Sequence, residues 1–216
     1  MRPKKILEII ELGESATVEF KRKSSSPEKI AKEITAFANT LGGILFIGVE
    51  DNGDLYGVES EKTELDVVEQ ACQFCIIPPV VPKEVKVQNL YGKEIIIVEI
   101  EESLIKPHKL ITKDESGKEI KKAYIRIGEK SILASSEMTR LMRERSNPKL
   151  HVKLSIGQTE QRLFAYLETY ERTTVMDFAN LVNISKRRAE RLLIILVRAG
   201  VLQIHNDTHH DYFTLK

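Results

Sequence analysis

Three carboxylates in one stretch of the sequence have the side chains that metal-dependent phosphodiester chemistry needs. Glu14, Glu19 and Asp51 lie on either side of a helical pattern. Converging carboxylates can hold the divalent ions that activate water in such reactions. Five residues of straight strand would separate Glu14 from Glu19 by roughly 17 Å, so the two can share a metal only if the chain reverses between them. The alternative is structural: Glu19 pairs with Lys21, and Asp51 is a turn residue.

Basic side chains form a second group. Lys and Arg total 33 against 32 Asp and Glu, so a polyanion would be held by a local patch rather than by overall charge. The segment 105–130 contains eight Lys or Arg and four Asp or Glu, a surplus that favours phosphate backbones through counterion release. A solvated charged hairpin is the alternative. The residues predicted to contact a nucleic-acid backbone are Lys21, His108, Lys109, Lys122 and Arg126.

A third group of cations lies on a predicted helix near the end of the sequence. Arg187, Arg191 and Arg198 lie roughly opposite its apolar stripe, and Lys186 and Arg188 flank them. A helix that enters a major groove needs donors to phosphates and base edges at such positions. Alternatively, this face is solvent-exposed and serves dimerisation or protein contact.

The hydrophobic pattern predicts the elements that position the carboxylates. Period-two alternation predicts a strand over 17–21, and helical periodicity predicts a helix capped by Ser26 and ended by Gly42. The nearly continuous apolar run 44–49 predicts a strand covered on both faces. Asn52-Gly53 then predicts a hairpin turn into a returning strand.

Later segments complete the first domain. The pattern predicts a helix from about Thr63, hairpins over 85–100 and 110–127, and a helix from about Ser136. Ser146-Asn147-Pro148 breaks that last helix. The predicted fold class is therefore α+β, with antiparallel hairpins packed against helices.

The predicted domains are 1–147 and 148–216. The second contains three helical patterns with a tight turn before Ser185, and two short strand patterns follow. This order resembles a winged helix-turn-helix.

The first domain resembles the Schlafen AlbA-2 domain family through four motifs in order. These are Glu14 with Val18-Glu19-Phe20-Lys21, Ala36-Phe37-Ala38-Asn39-Thr40 with Gly42-Gly43, Ile47-Gly48-Val49 with Asp51, and Tyr124-Ile125-Arg126-Ile127-Gly128. The resemblance implies nucleic-acid binding. In the family's vertebrate ribonucleases, acidic residues occupy the positions of Glu14, Glu19 and Asp51, which implies a catalytic triad that binds Mg²⁺ or Mn²⁺. The whole chain also resembles predicted bacterial and archaeal transcriptional regulators that join such a domain to a winged helix.

Several function classes are not expected. Cys72 and Cys75 have zinc-knuckle spacing but no second pair, so helical burial explains them better. The sequence has no P-loop for NTP hydrolysis. It also has no signal-peptide pattern and no apolar run long enough to cross a bilayer, which predicts a soluble, cytoplasmic protein.

Together these patterns predict a nucleic-acid-binding protein, and they favour a DNA-binding transcriptional regulator that acts as a homodimer. The first alternative is a divalent-metal-dependent endoribonuclease acting on structured RNA. The second is a non-catalytic dimerisation or interaction module.

Overall fold

The computed structural model describes residues 2–145, 156–206 and 211–216. They form an α+β fold, as predicted, and the chain divides into two compact units, Met1–Ala134 and Ser135–Lys216. The first unit contains α1 (Pro3–Glu11), β1 (Val18–Lys21), α2 (Pro27–Asn39), β2 (Gly43–Ile47), α3 (Glu61–Phe74), β3 (Ile76–Ile77), β4 (Glu84–Leu90), β5 (Lys93–Ile100), β6 (Lys109–Lys113), β7 (Glu119–Lys122), β8 (Tyr124–Ile127) and β9 (Lys130–Leu133).

A four-stranded sheet in the order β1-β2-β5-β4 forms the centre of the first unit. Its inner strands are covered on both faces, as the apolar run predicted. Phe20 and Phe46 pack with α1 on one face, and Leu45 and Ile47 pack with α2 and α3 on the other. Beside the antiparallel pairs, β1 and β2 pair in parallel, because the crossover through α2 returns the chain in the same direction.

The crossover helix α2 begins and ends where the sequence indicated. Ser26 Oγ accepts a hydrogen bond from Lys29 N at 3.3 Å, which caps the first turn. After the helix, Gly42 has a φ of +72°, and a Cβ there would lie 2.6 Å from Ile100 O, so glycine is required. Leu41 continues the apolar spacing of α2 but is 64% exposed, because the chain leaves the helical path at Thr40.

Two predicted hairpins differ in the structure. At Asn52-Gly53 the turn forms, but only a single bridge, between Val49 and Leu55, follows it. The segment predicted as one hairpin over 110–127 instead belongs to two sheets, because β6 pairs with β7 whereas β8 pairs with β9. The buried Ala123 separates them, and its carbonyl accepts a hydrogen bond from Ala134 N at 2.9 Å.

The second unit contains α4 (Ser136–Arg145), α5 (Gln158–Tyr170), α6 (Val175–Val182), α7 (Lys186–Arg198), β10 (Leu202–His205) and β11 (Tyr212–Leu215). The strands β10 and β11 pair in antiparallel fashion. Phe178, Leu193 and Phe213 are fully buried in the core of the second unit. Asn183 adopts a left-handed conformation (φ +55°) that ends α6 and turns the chain into α7.

The predicted boundary at 147/148 falls within residues 146–155, which lie outside the described residues. The compact units themselves divide between Ala134 and Ser135. The reason is that α4 packs on α7 and contributes Leu141 to the core of the second unit. Among the described residues, no helix is long and apolar enough to span a lipid bilayer.

Candidate nucleic-acid interface and the carboxylate cluster

The chain reversal that the carboxylates required is present before β1. Gly13 has a φ of +80°, and Ser15 N donates to Val18 O at 3.0 Å. The reversal brings the side chain of Glu14 back along the strand, where Glu14 Oε1 accepts a hydrogen bond from Phe20 N at 2.8 Å. Glu14 therefore lies beside β1 rather than at the far end of an extended strand.

The three predicted acids share one electrostatic environment. Partial burial raises the pKa of Glu14 above its usual range, and the hydrogen bond from Phe20 N acts in the opposite direction. The negative charges of Glu19 and Asp51 raise the pKa of Glu14 further, while the charge of Lys21 lowers it. The folded chain thus brings the three carboxylates into the same region.

Glu19 is the anionic centre of a buried ion-pair cluster. Its side chain is 8% exposed, and that of Arg126 is 0% exposed. Arg126 Nη1 donates to Glu19 Oε2 at 2.6 Å, and the ammonium group of Lys21 pairs with the other oxygen, Glu19 Oε1. Both oxygens of the carboxylate are therefore occupied by cations.

The same arginine holds several other groups. Arg126 Nη1 also lies 3.4 Å from Glu33 Oε2, and Nη2 donates to Ser15 O at 2.6 Å and to Val18 O at 3.3 Å. Its guanidinium lies over the ring of Phe37, 4.9 Å from the centroid. The sequence predicted Arg126 as a phosphate contact. That prediction was wrong, because the Arg126 side chain is buried inside the first unit and bonded to carboxylates and carbonyls there.

These contacts satisfy the backbone hydrogen-bonding groups on the outer edge of β1. Phe20 N is bound by Glu14, and Phe20 O accepts from Lys21 Nζ at 3.0 Å. Val18 O accepts from Ser15 N and Arg126 Nη2. An edge strand with free backbone groups invites pairing with another chain, so these side chains have a structural role that does not need catalysis.

The donor set does not fit a divalent cation in this arrangement. A metal at Glu14, Glu19 and Asp51 would have to displace a cation from Glu19. Separating a buried pair by removing one partner costs about 3–5 kcal/mol. Within the described ranges, no group of three or more His, Cys, Asp or Glu side chains is placed to hold a metal ion. As they are arranged, the three carboxylates therefore support no reaction step through Mg²⁺ or Mn²⁺.

His108 was predicted as a nucleic-acid contact but is buried. Its Nδ1 lies 2.7 Å from Pro78 O, and its Nε2 lies 2.7 Å from Ser103 Oγ. The Asn39 side chain bonds both the N–H and the carbonyl of His108, at 2.8 and 2.9 Å. Burial lowers the pKa of His108, against the opposing effect of the Pro78 carbonyl. A neutral ring that donates to Pro78 and accepts from Ser103 fits these contacts, and it leaves no donor for a phosphate.

Lys109 and Lys122, the remaining predicted contacts of the first unit, point to opposite faces of one small sheet. Lys122 is opposite Leu110 in the β6–β7 register, so it shares the face of Leu110. Lys109 is adjacent to Leu110 on β6 and therefore lies on the other face. The five cations predicted for the first unit do not form a single surface.

Of the cations predicted on α7, four lie on the first two turns and Arg198 lies at the end of the helix. Lys186, Arg187, Arg188 and Arg191 are exposed, and none of them has an ion-pair partner among the residues that the structure describes. Ser185 Oγ accepts from Arg188 N at 3.3 Å and caps the helix. Further along α7, Arg198 lies 3.3 Å from the Glu144 carboxylate of α4. The open cationic face is therefore confined to the first two turns.

Sequence reasoning missed three residues of the buried network. Glu33, Ser131 and Asn39 hold Arg126 and His108 in place. In the sequence, Glu33 interrupts the apolar face of α2. This interruption could have indicated a buried carboxylate with a cationic partner. Cys72 is buried on α3, as predicted, and burial raises its pKa to about 12, whereas Cys75 follows the end of α3 and is half-buried.

A comparison with family models finds a match to Schlafen, AlbA_2, over residues 14–135. Among solved structures, the crystal structure of the DIP2311 protein from Corynebacterium diphtheriae is similar at 19% sequence identity, with a TM-score of 0.45. That match covers 71% of this chain but only 28% of the DIP2311 chain.

Proposed function

Because the chain belongs to the Schlafen AlbA_2 family, we propose that it is a DNA-binding transcriptional regulator. Membership of this family gives it a general nucleic-acid-binding role. The observation that carries the narrower proposal is the first two turns of α7, where four exposed cations have no ion-pair partner among the described residues. Unpaired cations are the ones free to displace counterions from a phosphate backbone.

In this proposal α5, α6 and α7 with the β10–β11 hairpin act as a winged helix-turn-helix. Three residues, Asn183 to Ser185, separate α6 from α7, a turn length typical of that motif. Recognition helices contact base edges with their N-terminal residues, and the four exposed cations of α7 lie in this part of the helix. Arg187 and Arg191 would contact base edges, for which arginine paired with guanine is the commonest specific contact.

Lys186 and Arg188 would then contact the phosphates on either side. Glu190 lies among these cations, but its carboxylate is 3.5 Å from Arg140 Nη1 of α4. That pairing offsets its repulsion of DNA. We further propose a homodimer, because paired helix-turn-helix modules read two half-sites about 34–36 Å apart.

The test uses the full-length protein and a fluorescent random-sequence DNA duplex across a salt series. Lys186→Ala/Arg188→Ala should reduce the slope of log affinity against log salt by about 2, since each phosphate contact contributes about 0.9. The charge-matched control Lys62→Ala/Arg143→Ala removes two exposed cations elsewhere and should keep the slope. Equal behaviour of the two double variants would overturn the proposal, and sedimentation of the complex would report its stoichiometry.

A further inference from the structure

The small sheet β3-β6-β7 has one covered face and one open face. Ile76 and Leu110 are buried on the covered face, in the cluster that includes α2 and α3. By register, Ile77 is opposite Lys109, and Ile111 is opposite Lys121. The open face therefore carries two isoleucines and three lysines, namely Ile77, Ile111, Lys109, Lys113 and Lys121.

We propose that this open face is a contact surface for extended single-stranded nucleic acid. The inference rests on the nucleic-acid-binding role of the first unit, but it does not depend on α7. It names a second site, on another unit, with a different class of nucleic acid as its ligand.

The spacing of the lysines supports a linear polyanion. Lys109 and Lys113 lie at the two ends of β6, and Lys121 is opposite Ile111, midway between them on the neighbouring strand. Two residues of strand span about 6.8 Å, so the backbone positions of the three lysines follow one another in steps of about that length along the strand direction. A row of this kind can follow a backbone whose charges repeat along a line.

The charge of the face is positive and only weakly compensated. Among the residues of these three strands, Glu119 is the acidic one on this face, and its carboxylate lies 3.4 Å from Lys121 Nζ. Both partners are exposed, and exposed ion pairs of this kind contribute about 0–1 kcal/mol. Lys109 and Lys113 have no ion-pair partner in the part of the chain that the structure describes.

The isoleucines favour a single strand over a duplex. Ile111 is half-buried and lies between the lysines, and Ile77, which is 40% exposed, lies beside Lys109 on the edge strand β3. An apolar floor of this kind gains from contact with the faces of unpaired bases, which a duplex keeps stacked inside.

The test compares full-length wild type with Lys109→Gln/Lys113→Gln/Lys121→Gln on a labelled single-stranded oligonucleotide across a salt series. The variant should lose about 2 units of salt slope, because single strands contribute about 0.7 per contact. At 0.1 M salt this corresponds to an affinity loss on the order of 100-fold. The matched control is Lys4→Gln/Lys5→Gln/Lys122→Gln. It removes the same charge from outside the open face, since Lys122 lies on the covered face, and it should bind as wild type does.

The outcomes separate this inference from the α7 proposal. If the variant loses single-strand binding and keeps duplex binding, the inference about the open face is supported. If the wild type binds no duplex and the variant loses single-strand binding, the inference is still supported, but the α7 proposal is refuted. Equal single-strand binding by the variant and its control overturns the inference. It is also overturned if the variant instead loses only binding to vesicles containing anionic lipid.

Discussion

Arg126 Nη1 and Glu19 Oε2 lie 2.6 Å apart although the residues are 107 positions apart in the sequence. The pair joins β8 to β1 inside the first unit, where both side chains are almost completely excluded from solvent. Two residues that the motifs suggest for phosphate contact and catalysis are therefore each other's principal partners.

Replacing Arg126 with Ala should destabilise the first unit strongly. The substitution leaves Glu19 and Glu33 buried without their shared cation, and the loss of one partner of a buried pair costs about 3–5 kcal/mol. Urea denaturation followed by circular dichroism measures this. Lys122→Ala, which removes a cation that pairs with no carboxylate in the described ranges, should stay within about 0.5 kcal/mol. A stable Arg126→Ala protein that only binds nucleic acid more weakly would restore Arg126 as a surface contact.

The positions of Glu14 and Phe20 give a pH-dependent prediction. Because the pKa of Glu14 is raised above its usual range in the folded chain, its contribution to stability is present at low pH and is lost as pH rises through the folded pKa. Glu14→Gln keeps an oxygen acceptor for Phe20 N but carries no charge. The variant should therefore melt at the same temperature as wild type near pH 4 and at a higher temperature at pH 7. Thermal melts at the two pH values measure this, and a variant that melts lower at pH 7 would contradict it.

Local sequence predicted the helices and strands around the carboxylate cluster, but it did not predict which distant side chains pair there. The period-two pattern around Phe20, the Ser26 cap and the stop at Gly42 are all local, because each depends on neighbours a few residues away. The pairing of Arg126 with Glu19 and of His108 with Asn39 depends on how distant segments meet, and no local pattern reports that. Charge surplus in the sequence therefore overestimated the cationic surface of the first unit, whereas the exposed positions of the cations on the first two turns of α7 follow from helical periodicity alone.

Manganese should not bind tightly at the carboxylate cluster. Both oxygens of Glu19 already contact cations, so Mn²⁺ should raise the melting temperature of wild type no more than that of Asp51→Asn. Thermal melts with Mn²⁺, run beside incubation with structured RNA, make this check. Stabilisation by Mn²⁺ that disappears in Asp51→Asn, together with nicking of the RNA, would show that the ion displaces Lys21 or Arg126 and that the endoribonuclease alternative is right.

The packing of Leu141 decides where the second unit begins. Leu141 lies on α4 and is 1% exposed, in the same cluster as Leu193 of α7. Leu141→Ala should cost about 2–5 kcal/mol, the usual range for removing a buried leucine side chain. Because α4 packs on α7, the loss should appear as faster hydrogen exchange of α7 amides, with exchange in the β2 and β5 strands unchanged. Arg143→Ala, an exposed change on the same helix, should leave both regions unchanged. Faster exchange in β2 and β5 instead would assign α4 to the first unit and support the predicted boundary at 147/148.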